Sequence, residues 1–382
     1  VLFDILTPAR VLFGPGSTYR LGEETAALGR KALLVTGRES LKKTGNIERV
    51  TQPLAVSGIE VISFAEVPPE PAVDVVEAGR RRVRDEGCTV VIGAGGGSAL
   101  DAAKMIAGLA HTDGPARDYL NGREVSAPGL PFIAVPTTAG SGSELTRTAV
   151  LVDPETGRKQ SVRSDYWMAR TVVADPILTM SMPRSLTAQT GMDAFTHAVE
   201  AYTSRWATPY TNALSREAVR LIAQNFYTAC HHPGRRDARE SMLLGSGLAG
   251  MALNTARAGA VHALAHPVGV RYGLGHGVVC GVLLPYVVEF NMAVVEDKYA
   301  QLARTIGVAQ ADASDSEAAG RFHHFVVRLA ARLEFPEKLG SLGLTREDIP
   351  ELVEAALGSA SLAANPRKAT HADLTAILER NL

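Results

Sequence analysis

An α/β half built on a parallel sheet, followed by an all-helical half, is the fold class this sequence predicts. Two patterns and the length predict it. Short apolar runs alternate with helical stretches up to about residue 180, and beyond that amphipathic helical patterns run on to the C-terminus. A chain of 382 residues is long enough for two domains with a large core. The expected division is 1–180 and 181–382, with the change falling in PILTMSMPR between Pro176 and Arg184.

The strands of the first half are read from KALLVT (31–36), VISF (61–64), TVVI (89–92), FIAV (132–135) and TVVA (171–174), with helical patterning between several of them, as over 72–84. Near-continuous apolar strands separated by helices indicate a parallel sheet covered on both faces, which binds ligands at the carboxyl ends of its strands. TVVI runs into GAGGGSALDAAKMIAGLAH, where Gly95, Gly96, Gly97 and Ser98 precede a helix. Glycines let a backbone approach a pyrophosphate, and free amides at a helix start supply donors. A tight turn with close helix packing would carry the same glycines, and the G-x-G-x-x-G fingerprint is absent. FIAV leads into a second polar loop, PTTAGSGSE (136–144), bearing Thr137, Thr138, Ser141 and Ser143. Two such loops at strand ends predict a Rossmann-like dinucleotide cleft.

In the second half, GMDAFTHAVEAYTS (191–204) places Met192, Phe195, Val199 and Tyr202 at helical spacing, with Asp193 and His197 one turn apart on a shared face. GAVHALAHPVGVRYGLGHG (259–277) adds His262 and His266, again one turn apart, then Pro267 as a break, and His276 after a glycine-rich turn. Four of the ten histidines fall in these two otherwise apolar segments, whereas His231, His232, His323 and His324 sit among polar neighbours. A buried imidazole is satisfied by a metal and costly without a partner, so clustering points to ligands. One carboxylate with imidazoles suits Fe(II), Zn(II) or Mn(II) and disfavours Cu(I). Spacing alone leaves open whether His262 or His266 joins the site.

Apolar residues make up 46% and charged residues 21%, and the net charge of −1 gives no electrostatic footprint for nucleic acid or an anionic membrane. Three cysteines, Cys88, Cys230 and Cys280, are too few and too scattered for a disulfide framework or a cysteine-based zinc site. The opening VLFDILTPARVLFGPGS shows no export signal, and no stretch reaches the roughly 18 uninterrupted apolar residues of a membrane span. A cytoplasmic homodimer or larger homo-oligomer acting on a small molecule is expected.

In order, GGGSxxDxxK, PTTAGSGSE, GMDAFTHAVEAY, VHALAHPVG, GHG and the C-terminal NPRKAT (365–370) resemble the iron-containing (group III) alcohol dehydrogenases over essentially the whole chain. The resemblance implies that Asp193, His197, His262 and His276 hold the metal, Fe2+ or alternatively Zn2+ or Mn2+, and that His266 faces substrate and nicotinamide. It implies that Gly96, Gly97 and Ser98 cradle the pyrophosphate, that Asp101 sits at the nicotinamide side, that Thr137, Thr138 and Ser141 line the cofactor, and that Lys159 lies near the ribose. Gly37 stands where many NAD-selective relatives carry an Asp, and GRESLKKTG resembles relatives that prefer NADP. Arg38 and Ser40 would reach the 2′-phosphate, opposed by Glu39.

The implied reaction, in the cleft between the domains, interconverts a primary alcohol and an aldehyde by hydride transfer with NADP or NAD. His266 would relay the proton. Arg257 and Leu253 stand where many relatives have a small or apolar and an aromatic residue, respectively. The arginine would suit an acidic aldehyde, and the leucine would widen the pocket. Maleylacetate reductases, which typically lack the full metal set, and a dehydroquinate-synthase-like NAD/metal lyase are the competing readings.

Overall fold

Residues 3–157 and 159–382 are described by a computed structural model. They form two compact units, Ile5–Met182, and Pro183–Leu382 with the start of the chain through Asp4.

The first unit contains β1 (Arg10–Phe13), β2 (Lys31–Gly37), β3 (Glu60–Val67), β4 (Val90–Gly95), β5 (Phe132–Pro136), β6 (Thr148–Val152), β7 (Lys159–Arg163) and β8 (Thr171–Ala174). Six strands make one parallel sheet in the order β1-β8-β5-β4-β2-β3. All five apolar runs are strands of this sheet. β4, β5 and β8 are buried along their whole length, as strands covered on both faces must be. β6 and β7 form a separate antiparallel hairpin. Ala32, Leu34, Val90, Ile92, Ile133 and Val135 belong to the core of this unit.

From β2 the chain passes to β3 on one side and then returns to β4 on the other, so the strand order reverses between β2 and β4. At such a switch point the two strand-end loops diverge and leave a crevice. Thr36 pairs with Ala94, which puts the loops after Gly37 and Gly95 side by side at that crevice.

The second unit is helical, with no strand among its described residues. Its central helix, Arg184–Thr203, is buried on every side from Gly191 to Thr203, well beyond the apolar stripe read from Met192, Phe195, Val199 and Tyr202. Pro209–His231 begins with a capping box between Thr208 and Thr211 and Pro209 in its first turn, and Arg236–Ala256 follows. Ala260–Tyr272 runs straight through Pro267, so the expected break there is wrong. Burial of Val261, Leu264 and Val268 along the same helix offsets the hydrogen bond that the proline cannot donate. The helix ends instead at Gly273, in the left-handed conformation.

His276 is the first residue of the next helix, His276–Thr305, which bends at Val295. This helix is long and apolar enough to cross a membrane, but over half of its apolar window is buried within the protein, as in a core helix. Asp315–Arg332, Ile349–Leu357 and His371–Glu379 complete the unit.

Candidate metal centre and cofactor loops

Asp193, His197 and Glu200 stand at i, i+4 and i+7 of the buried helix Arg184–Thr203, so all three project from one face. Ionisable groups on a buried face must be paired or coordinated. Oδ1 of Asp193 lies 3.3 Å from Nε2 of His262, 3.5 Å from Nε2 of His197 and 3.6 Å from Nε2 of His276. The His197 and His262 rings stack with centroids 4.5 Å apart. Three imidazole nitrogens thus converge on one carboxylate oxygen at separations longer than good hydrogen bonds. Ligands about 2.0–2.2 Å from a shared cation stand roughly 3–3.5 Å from each other, so the donor set and its spacing fit a divalent metal.

The electrostatics agree. Burial pushes the Asp193 carboxyl up, but the imidazoles of His197, His262 and His276 hold it well below the usual carboxylate range. Burial pushes His262 down, and the Glu200 and Asp193 carboxylates more than reverse this, bringing it up to about 10.

Glu200 was not singled out by the sequence, although its i+7 spacing from Asp193 was there to be seen. Its Oε2 lies 2.5 Å from His262 Nδ1, and its Oε1 accepts the Val261 amide at 2.7 Å. Asn365, in NPRKAT, accepts the Ala260 amide at 3.2 Å and exchanges hydrogen bonds with Asn291. A Cβ on Gly259 would fall 2.9 Å from Glu200 Oε1 and 3.0 Å from Asn365 Oδ1, so a larger residue here would push on both side chains at the start of the His262 helix. His266 is half-buried on the same helix, its ring 5.1 Å from that of His276 and 6.2 Å from that of His262.

Cys280 was not counted among the metal residues in the sequence, and the structure brings it beside them. One turn after His276, its sulfur joins Asp193, His262 and His276 in a group whose donor atoms all lie within 4.8 Å of one another. Sequence separation hid this, because Asp193 and Cys280 are brought together only by the packing of their helices.

In the sheet unit, the two polar loops meet. The amide of Thr137 donates to Gly95 O at 2.9 Å. A Cβ on Gly97 would fall 2.8 Å from Ser141 Oγ, and one on Gly96 would fall 3.3 Å from Thr138. Gly96 caps the helix Gly97–Gly108, whose first amides are the donors expected of a phosphate site. Gly37 ends β2, and Ser40 opens a short helix in which Glu39 pairs with Lys43.

Asp101 is buried. Its Oδ1 accepts from Ser143 Oγ at 2.5 Å, and its Oδ2 accepts the Val150 amide at 3.0 Å. Lys104, beside it, is fully buried and donates to Ser143 and Thr146. Lys159 pairs with Glu70 at 2.7 Å. Arg257 is exposed at the end of Arg236–Ala256, with positive φ and its guanidinium 4.8 Å from the Trp206 ring centre. Leu253 is half-buried on that helix.

Comparison with known proteins gives the lineage. Residues 8–176 match the iron-containing alcohol dehydrogenase family, and residues 187–382 match the C-terminal domain of the Fe-containing alcohol dehydrogenase family. This chain belongs to the iron-containing alcohol dehydrogenases. A 1,3-propanediol dehydrogenase of Citrobacter freundii is 38% identical over 382 residues, covering 99% of this chain and 98% of that protein. The crystal structure of a 1,3-propanediol oxidoreductase superposes with a TM-score of 0.97 at 38% identity, covering 100% of both chains. A sulfoacetaldehyde reductase of Bifidobacterium kashiwanohense, solved in complex with NAD+, superposes with a TM-score of 0.91 at 28% identity over 100% of this chain and 99% of that one. As an iron-containing alcohol dehydrogenase, the chain has the parallel-sheet and helical halves and the alcohol–aldehyde oxidoreduction that its motifs imply.

Proposed function

We propose that Asp193, His197, His262 and His276 hold a divalent cation, Fe2+ or alternatively Zn2+ or Mn2+, and that the chain interconverts a primary alcohol and an aldehyde with NADP or NAD. The observation that carries this reading is the convergence of three Nε2 atoms on Oδ1 of Asp193. When bound, the cation supplies Lewis-acid polarisation of the substrate oxygen and the nicotinamide supplies hydride exchange.

The chain's own residues do the rest. Glu200 fixes the His262 ring so that Nε2 points into the cluster. His266 borders the cluster and is half-exposed, which supports a role in passing the alcohol proton between the site and water. Gly96, Gly97 and Ser98 offer backbone and hydroxyl donors to a pyrophosphate, and Thr137, Thr138 and Ser141 close the same loop pair from β5. Asp101 acts from beneath by holding Ser143, and Lys104 ties the same segment. Lys159 and Ser40 complete the proposed cofactor contacts, with Gly37 leaving room for the adenosine ribose.

Relatives named for 1,3-propanediol, sulfoacetaldehyde and lactaldehyde support a small, polar substrate, and one named for long-chain alcohols points the other way. Stacking of Arg257 on Trp206 gives that arginine a packing role, so recognition of an acidic aldehyde is a proposal that comparing neutral with acidic aldehydes decides. A cytoplasmic homo-oligomer is part of the proposal, and light scattering reports its size.

The test is an aldehyde panel, neutral and acidic, assayed with NADH and NADPH on protein of measured metal content. Turnover of short neutral aldehydes that scales with bound metal is expected. No turnover on any member by fully metallated protein overturns the reading.

A further inference from the structure

We infer that Asn365 is a positioning residue for the reaction: its carboxamide caps the helix Ala260–Tyr272 from outside and so sets where His262 and His266 are presented. The inference rests on the metal-centre reading and concerns a residue outside the cluster.

The first amides of a helix have no partner within it and must be met by a capping side chain or by another part of the molecule. The residue before this helix is Gly259, which has no side chain to offer. The Val261 amide donates instead to Glu200 Oε1 at 2.7 Å, and the Ala260 amide donates to Asn365 Oδ1 at 3.2 Å. Both caps come from distant parts of the chain.

Asn365 is fully buried, and its carboxamide makes every hydrogen bond it can. Oδ1 also accepts from Asn291 Nδ2 at 3.1 Å, while Nδ2 donates to Asn291 Oδ1 at 2.8 Å and to Arg367 O at 2.7 Å. Turned over, it would set a donor against the Ala260 amide and an acceptor against Arg367 O, so one orientation alone is satisfied. Pro366 favours the extended backbone that Asn365 adopts, with φ −60° and ψ 136°.

The same short segment reaches all three helices that carry the cluster. Ala364 O accepts the Arg205 amide at 2.9 Å, just past the end of Arg184–Thr203. Asn365 meets Ala260–Tyr272, and Asn291 and Phe290 lie on His276–Thr305, where Arg367 donates to Phe290 O at 3.0 Å. NPRKAT thereby registers the helices bearing Asp193, His262 and His276 against one another.

The test compares Asn365→Ala, which removes the cap, with Arg367→Ala, which loosens the same segment from Phe290 and leaves the cap. Zn2+ affinity, by competition with a chromophoric chelator, and kcat and KM for NAD(P)H are measured on the full chain where circular dichroism shows each variant folded. Asn365→Ala is expected to bind Zn2+ about tenfold more weakly, the low end of the loss for residues that hold ligands in place. Its kcat at saturating metal falls, and its KM for NAD(P)H is unchanged. Arg367→Ala is expected to lower the melting temperature alone. An Asn365→Ala protein that does not fold is replaced by Asn291→Ala, in which the carboxamide is free to turn, with the same split expected. A lower melting temperature with unchanged Zn2+ affinity and kcat in the folded variant overturns the inference, as does equal weakening of Zn2+ by Arg367→Ala, while the metal centre stands in both cases. Failure of the unmodified protein to bind Zn2+ removes the metal centre and this inference together.

Discussion

Glu200 Oε2 lies 2.5 Å from Nδ1 of His262, whose Nε2 faces Asp193 Oδ1 at 3.3 Å. The carboxylate accepts the Nδ1 proton, which leaves Nε2 as the nitrogen free to donate its lone pair to a metal. Glu200→Gln keeps the shape and removes the charge. Metal affinity, measured by competition with a chromophoric chelator, is expected to fall about 10–100-fold. Unchanged affinity would mean that Glu200 only packs the helix start.

His262 and His266 stand one turn apart yet differ in surroundings. His262→Ala deletes a nitrogen aimed at Asp193 and is expected to remove most bound metal. The loss of one partner from a buried charged cluster also costs about 3–5 kcal/mol of stability. His266→Ala is expected to keep the metal and lower kcat about 10²–10⁴-fold, with a flattened pH profile. Metal analysis and kinetics on both variants check this, and equal metal loss in the two would show the division of roles to be wrong.

Much of this was legible in the sequence because the physics is local. KALLVT, TVVI and FIAV read as buried parallel strands since both faces of each are covered. The strand Arg10–Phe13 and the hairpin of β6 and β7 escaped notice, being short or partly polar, as in KQSVR. Asp193 and His197 were visible as a one-turn pair. The bond from Asn365 to the start of the His262 helix and the approach of Cys280 to Asp193 depend on contacts between residues far apart in sequence, which no periodicity encodes. Pro267 misled because a proline normally ends a helix, and here packing on both sides of it holds the helix together.

Cofactor choice is open to a charge reversal. Arg38 is exposed just beyond Gly37 at the end of β2, while the neighbouring Glu39 is paired with Lys43, which reduces its opposition to a 2′-phosphate. A hydrogen bond to a charged group contributes about 1.5–3 kcal/mol, equivalent to roughly ten- to a hundredfold. Arg38→Glu is expected to raise KM for NADPH by that factor while changing KM for NADH little. Equal changes for the two cofactors would remove Arg38 from 2′-phosphate recognition.

Glu144 closes the PTTAGSGSE loop in a buried position, and burial pushes its carboxyl up to about 7. Below the ordinary value of 4.5 it is neutral whether the chain is folded or unfolded. As pH rises from there through about 7, the unfolded chain gives up this proton first, so the Glu144 contribution disfavours folding increasingly across that window. Each unit of pKa difference corresponds to about 1.4 kcal/mol. Glu144→Gln is expected to melt at the same temperature as the unmodified protein at the acid end and higher above pH about 7. An offset that does not change with pH would contradict this.

The central claim is that alcohol–aldehyde exchange depends on the cation held around Asp193. The most direct measurement strips the metal with a chelator, verifies its removal by elemental analysis, and follows NAD(P)H oxidation with an aldehyde before and after adding back Fe2+, Zn2+ or Mn2+. Activity should fall in proportion to the metal lost and return with at least one of these ions. Full activity in demonstrably metal-free protein would contradict the account.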